Sequence, residues 1–228
     1  MGKIYVCSDL HGMYNLYQQI DACTNPDDTI IFLGDAADRG PMGWEIIKAI
    51  AKNPKWIWLQ GNHDAMLAAA MREIDALGRP GDECRLLFNN GGRMTLQSWQ
   101  MDGSDLHWAR FLESLPKYKE VRKNGKIFCL SHAGFTPTFN KNGTFLPPDE
   151  ELLWDREHPF NSFWPAGYED YIIVHGHTPI CYLTHEDVEY IYKYHNGQKI
   201  GIDNGCFYTK AIGLLDLDTL EVIKFQSL

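Results

Sequence analysis

Five short apolar runs in this chain stop abruptly, each at a turn rich in glycine and metal-competent side chains. Ile4–Cys7 runs into Ser8-Asp9-Leu10-His11-Gly12, and Ile30–Leu33 into Gly34-Asp35 followed by Asp38-Arg39-Gly40. Trp56–Gln60 runs into Gly61-Asn62-His63-Asp64, Ile127–Leu130 into Ser131-His132-Ala133-Gly134, and Tyr171–Val174 into His175-Gly176-His177-Thr178-Pro179. Runs this short and apolar, bounded by turn residues, fit strands buried on both faces. Amphipathic helices are expected between the first three, at Tyr14–Cys23 and Gly43–Lys52, with an Ala/Met-rich helix from Asp64 to about Ala76. That alternation predicts β-α-β units and a parallel sheet, whose ligands gather at the carboxyl ends of the strands.

Beyond this point the pattern changes. Leu77–Lys123 reads as a helical insertion with a glycine turn at Asn89–Gly92. Further strands are expected at Lys126–Ser131, Tyr171–Val174, Glu189–Tyr194, Lys199–Asp203, Ala211–Leu217 and Glu221–Gln226. His195–Gln198 carries Asn-Gly, which tolerates the positive φ of a tight hairpin turn. Leu217–Glu221 marks a second turn, and Phe145–Gly167 reads as a long ordered surface loop. No repeat or linker divides the chain, so residues 1–228 read as one α/β domain.

The formal net charge of −9 argues against generic binding to nucleic acid or to an acidic membrane. It also demands a local positive charge if the substrate is an anion. The six cysteines are scattered without a C-x-x-C pair, which speaks against a disulfide framework or a zinc-thiolate site. No signal-peptide pattern and no membrane-length apolar run is visible, so a cytoplasmic location is expected.

The donors at the strand ends are oxygen and nitrogen without sulfur, a set that suits Mn²⁺, Fe or Zn²⁺. Six candidates, Asp9, His11, Asp35, Asn62, His132 and His177, exceed the needs of one catalytic ion. Two divalent ions sharing Asp35 is the economical arrangement, and paired ions roughly 3.5–4 Å apart suit phosphoryl transfer. They would also supply the positive charge that the chain as a whole lacks. Singly, each motif is compatible with an ordinary turn or helix start; five in succession at strand ends are not.

In this order, "SDLHG", "GDAADRG", "GNHD", "SHAG" and "HGHTP" resemble the calcineurin-like metallophosphoesterases, and more narrowly the phosphoprotein phosphatases. "LLFNNGGRMTLQSW" and "LLWDRE" are similar to segments of the compact bacterial and phage members, and the resemblance runs from about Lys3 to Asp216. It implies a four-layer αββα sandwich around two mixed β-sheets. It further implies a first metal on Asp9, His11 and Asp35, and a second on Asp35, Asn62, His132 and His177. Arg39 and Arg156 would grip the phosphate, with Asn62 beside them. Asp38 would orient His63 and keep it protonated, and His63 would act as general acid for in-line attack by a metal-activated water.

The chain departs from the family pattern at three points. Ser8 stands for a glycine, Asp64 for the usual glutamate, and Pro179 where some relatives carry a further histidine. The last departure favours the phosphoprotein phosphatase branch. His175 has no family counterpart and reads as a strand cap. The resemblance therefore implies a metal-dependent phosphomonoesterase acting on phosphoproteins or phosphorylated small molecules, most simply a serine/threonine protein phosphatase. A symmetrical diadenosine tetraphosphatase, a phosphodiesterase and a non-catalytic scaffold are the rivals. Phe160, Phe163 and Trp164 are candidates for stacking on a base, or for core or lid packing.

Overall fold

A computed structural model describes residues 2–137, 149–184 and 190–227. The first half follows the expected alternation: β1 (Ile4–Cys7), α1 (Tyr14–Cys23), β2 (Thr29–Phe32), α2 (Gly43–Lys52), β3 (Trp56–Trp58) and α3 (Asn62–Leu77). The insertion carries α4 (Asp82–Asn89), α5 (Arg93–Met101) and α6 (His107–Glu113), then β4 (Tyr118–Lys123). The remainder comprises β5 (Lys126–Ser131), α7 (Glu151–Trp154), β6 (Tyr171–His175), α8 (Ile180–Thr184), β7 (Tyr192–Tyr194), β8 (Lys199–Gly201), α9 (Cys206–Thr209), β9 (Ala211–Asp216) and β10 (Val222–Gln226).

Two five-stranded mixed sheets result, in the orders β10-β9-β1-β2-β3 and β4-β5-β6-β8-β7. In the first, β1, β2 and β3 run parallel, with Val6 opposite Ile31 and Ile31 opposite Ile57. A parallel pair needs a long crossover, and α1 and α2 provide it. In the second, β5, β6 and β8 run parallel, flanked by antiparallel β4 and β7.

The period-2 alternation of strand side chains explains the layering. Val6, Ile31, Leu33 and Leu59 face Phe128, Leu130, Ile172, Val174 and Ile200 across the gap between the sheets. The alternate residues Tyr5, Cys7, Phe32, Trp56 and Trp58 pack on helices α1 to α6. On the outer face of the second sheet, Cys129 and Ile173 pack against Phe135 and Leu152. The interiors of β1, β2, β5 and β6 are thus covered on both sides, which is why these runs read as continuously apolar. The four layers match the expectation. Among the described residues no helix is long and apolar enough to cross a membrane.

Several boundaries differ from the sequence reading. The supposed wholly helical insertion ends in β4, where only Val121 of "YKEVRK" is buried, so its apolar signal is that of an edge strand. Helix α3 begins at Asn62, two residues before the expected Asp64. Residues 149–167 are not one loop, since α7 lies within them, while Phe145–Pro148 fall outside the described residues. The seventh strand is limited to Tyr192–Tyr194, and Glu189 also lies outside the described residues. The Asn-Gly hairpin forms as expected, with His195, Asn196 and Gly197 all at positive φ.

Candidate metal centre and phosphate site

The carboxyl ends of β1, β2 and β3 converge with those of β5 and β6 at the mouth between the two sheets. The site is therefore shared between sheets and is not one rim of a single sheet. Asp9, His11, Asp35, Asn62, His132 and His177 are all buried there. Asp9, His11, Asp35, Asp38, Arg39 and His177 all adopt positive φ, between +40° and +69°. That region costs a side-chain-bearing residue on the order of 1–2 kcal/mol, and such strain collects at functional sites. Close backbone approach helps to hold it: a Cβ on Gly61 would collide with the Asp35 carboxylate, and one on Gly176 with Ser8 and Asp9.

Two groups of three donors form, His11 with Asp35 and His63, and Asp9 with Asp35 and His132, so Asp35 belongs to both. His11 donates from Nδ1 to the Ala37 carbonyl at 2.9 Å, and His132 from Nδ1 to the Leu33 carbonyl at 2.9 Å. Each carbonyl can only accept, so each Nε2 turns a lone pair into the site. The Nε2 of His11 lies 3.7 Å from Asp9 Oδ1 and 3.6 Å from Asp35 Oδ2; that of His132 lies 3.5 Å from Asp35 Oδ2. These gaps exceed a good hydrogen bond. Two ligands at ~2.1 Å around one ion subtend roughly 3–3.5 Å, so the 3.5 Å gap fits such a pair and the 3.6 and 3.7 Å gaps lie just beyond it.

Around His132 the packing is tighter. Asn62 Oδ1 lies 2.9 Å from His132 Nε2 and 3.0 Å from His177 Nδ1, with 3.2 Å between the two ring nitrogens. At most one N–H, on His177, serves these three atoms; a cation satisfies all of them. The Nε2 of His177 finds no partner among the described residues.

Electrostatics point the same way. Burial, then the neighbouring Asp9 and Asp64, drive the pKa of Asp35 well above 3.8. Burial holds His11, His132 and His177 below 6.5. Neutral imidazoles beside crowded carboxylates are what divalent-ion binding requires. The residues present thus fit divalent ions, and Asp35 is common to both donor groups.

His63 also approaches Asp35, its Nε2 lying 3.9 Å from Oδ2. Both of its nitrogens are nevertheless engaged elsewhere: Nδ1 with Asp38 Oδ2 at 2.8 Å, and Nε2 with Arg39 Nη2 at 3.0 Å. A guanidinium can only donate, so Nε2 accepts and Nδ1–H donates to Asp38. Burial, and then Arg39, pull the His63 pKa down to about 3. The ring in this arrangement is neutral, contrary to the expectation that Asp38 keeps it charged. Desolvation and the guanidinium outweigh the carboxylate, which burial itself raises to about 7.

Asp64 does more than its position in the motif suggested. It is wholly buried and accepts from Gly61 N at 2.9 Å, Asp35 N at 3.1 Å and Trp58 Nε1 at 3.1 Å. Its other oxygen faces Ala36 N at 3.4 Å. It therefore closes the first turn of α3 and ties it to the loop carrying Asp35. Asp64→Ala strands those donors in the core, and such losses cost about 3–5 kcal/mol. Urea denaturation of the metal-free protein should show that loss; a change below about 1 kcal/mol would assign Asp64 no structural role.

The helical insertion reaches the site as well. Asp38 N donates to Thr95 Oγ1 at 3.2 Å, and Arg39 N to the Gly91 carbonyl at 3.1 Å. Arg39, Arg156 and His177 line a cavity of ≈ 400 Å³ together with Asn90, Tyr182 and Tyr208. Phe160 and Phe163 are exposed away from it and Trp164 packs on the outer core. Tyr182 and Tyr208 were not singled out from the sequence, where isolated tyrosines carry no signal.

A model of the calcineurin-like phosphoesterase family matches residues 2–202, and the chain belongs to that family. Among characterised relatives, it is 22% identical to the asymmetrical bis(5'-nucleosyl)-tetraphosphatase PrpE of Anoxybacillus flavithermus, over 97% of this chain and 93% of that one. It is 25% identical to serine/threonine-protein phosphatase 2 of Escherichia coli, over 66% of each chain. A solved serine/threonine phosphatase from Saccharomyces cerevisiae superposes with a TM-score of 0.63 and 17% identity, covering 100% of this chain and 80% of that one.

Proposed function

We propose that this protein is a dinuclear-metal phosphohydrolase that cleaves dinucleoside polyphosphates. The supporting observation is that His177 of the donor cluster and two guanidinium groups, Arg39 and Arg156, line one cavity that also carries two exposed tyrosines. Its ≈ 400 Å³ falls within the range of small-ligand sites. Bound divalent ions, Mn²⁺ being the proposed pair, supply positive charge for the phosphoryl oxygens and acidify water for attack.

The remaining work falls to the chain. Arg39 and Arg156 match phosphate oxygens with planar forks. When Arg39 turns from His63 to the phosphate, Nε2 is released to take up a proton from solvent and pass it to the leaving oxygen. Asp38 holds Nδ1–H and stabilises the ring while it is charged. Tyr182 and Tyr208 offer stacking faces for a base, a contribution of about 1–3 kcal/mol per base.

A phosphoprotein substrate is the competing reading, favoured by the motif set and by the similarity to the Escherichia coli phosphatase. Diadenosine tetraphosphate and phosphoserine, phosphothreonine and phosphotyrosine peptides should be compared with Mn²⁺ present. The dinucleotide should be preferred by at least ~10-fold in kcat/KM. Tyr182→Ala with Tyr208→Ala should remove ~10–100-fold of that and leave a small aliphatic phosphomonoester unaffected. Better turnover of the peptides, unaltered by the tyrosine changes, would reverse the assignment.

A further inference from the structure

Behind the wall that carries Arg156 lies a buried polar network with no evident part in the chemistry. His158, His175 and Lys199 are wholly buried, and the Tyr194 hydroxyl stands between the two imidazoles. The donor order follows from one fixed end. His175 Nδ1 faces the Gly176 carbonyl at 3.1 Å, which can only accept, so Nδ1 carries the proton. His175 Nε2 therefore accepts from the Tyr194 hydroxyl at 2.6 Å. The tyrosine oxygen in turn accepts from His158 Nε2–H at 3.1 Å. The two imidazoles meet edge to face at 4.5 Å. Gly134 makes the room: a Cβ there would lie 2.7 Å from His158 Nε2 and 3.0 Å from His175 Cγ.

His158 is also held through its backbone. Its carbonyl accepts from Lys199 Nζ at 2.7 Å, and its N–H donates to Asp155 Oδ1 at 3.1 Å. The same Asp155 oxygen accepts from Glu157 N at 2.6 Å, closing a turn around Arg156. Ring, carbonyl and amide of one residue are thus fixed two positions from a guanidinium, whose Nη1 donates to Thr178 Oγ1 at 3.2 Å. The four-residue helix α7 just before this turn is too short to fix its geometry alone. Buried polar groups are costly unless fully paired, whereas an apolar plug would serve if filling space were all that mattered. His158 Nδ1 finds no hydrogen-bond partner among the described residues, but both nitrogens of His175, the Tyr194 hydroxyl, His158 Nε2 and Lys199 Nζ are paired, and paired networks of this kind select one geometry.

We propose that His158, Tyr194, His175 and Lys199 are positioning residues that set the 155–158 turn so that Arg156 meets the phosphate. This rests on the reading of Arg156 as a phosphate ligand. Displacements of ~1 Å at such a clamp reduce catalysis by up to 10²-fold.

The test uses the metal-loaded full chain, with inorganic phosphate as the probe in titration calorimetry, alongside KM, kcat and Tm. Tyr194→Phe and His158→Leu should each weaken phosphate binding about tenfold and raise KM by a similar factor, with metal content unchanged. His158→Gln, which retains a donor toward Tyr194, should restore most of the affinity. In an Arg156→Ala background, Tyr194→Phe should have no further effect on phosphate binding. A purely structural network would lower Tm in the single variants and leave phosphate affinity at the wild-type value. That result, or full additivity with Arg156→Ala, overturns the positioning role. If Arg156→Ala itself leaves phosphate binding unchanged, the clamp assignment falls and the positioning role with it.

Discussion

Asp35→Asn should abolish hydrolysis and, in the same protein, separate stability from metal. Asp35 Oδ2 lies 3.6 Å from His11 Nε2 and 3.5 Å from His132 Nε2, so one oxygen serves both donor groups. Its Oδ1 accepts from His63 N at 2.9 Å, a bond that asparagine retains. What changes is the shared atom: an amide nitrogen there has no lone pair to give and points N–H toward the two imidazoles. Activity should fall by at least ~10³-fold, as expected when a preorganised electrostatic element is removed.

The stability effect has the opposite sign in the metal-free protein. Burial and the adjacent Asp9 and Asp64 raise the Asp35 pKa well above 3.8. A carboxylate raised in the folded state destabilises at neutral pH, and the penalty is relieved as pH falls through the folded pKa. Metal-free Asp35→Asn should therefore melt above metal-free wild type at pH 7, and the gap should close on acidification. Mn²⁺ at 100 times its Kd stabilises wild type by about 2.7 kcal/mol per ion. At about 2–4 °C per kcal/mol for a chain of this size, two ions raise Tm by about 10 °C or more. The variant should gain less than half of that. Calorimetry with and without chelator, together with metal counting, decides it; a variant that still holds two ions per chain removes Asp35 from the bridging position.

The strand ends were legible because each motif couples two independent signals, an apolar run and a donor flanked by glycine. Helices α1 and α2 were equally plain, since their periodicity runs uninterrupted from Tyr14 to Cys23 and from Gly43 to Lys52. β4 was hidden because an edge strand with one buried residue leaves no alternation to read. The start of α3 was misplaced because Gly61 caps it through its backbone, while Asp64 closes the turn from three residues inside. Nothing local marks Asp9, His11 or Asp35 as left-handed residues, because tertiary contacts impose that conformation. Likewise His175 reads as a strand end until Tyr194, nineteen positions away, is seen against its ring. The protonation of His63 could not be read from Asp38 alone, since the deciding partner is Arg39, brought to Nε2 by the fold.

For His63→Asn the expectation is a fall in kcat of ~10²–10⁴-fold, with both metals retained. Asparagine places an N–H near the position of Nδ1 and preserves a donor to Asp38 Oδ2, which His63 meets at 2.8 Å. It leaves nothing at the position of Nε2. The variant therefore tests the one nitrogen that a general acid needs and keeps the orienting bond. Because both ring nitrogens are engaged with Asp38 and Arg39, the metal donors lose no member. The diagnostic is dependence on the leaving group. An alkoxide needs a proton in the transition state, so alkyl phosphates should show the full deficit. An acidic phenol leaves without one, so aryl phosphates should lose far less. Asp38→Asn should show the same pattern at smaller size, and little beyond His63→Asn when the two are combined, because residues acting as one unit are not additive. An equal deficit on both ester types would deny His63 the proton transfer, and loss of metal would return it to the ligand set.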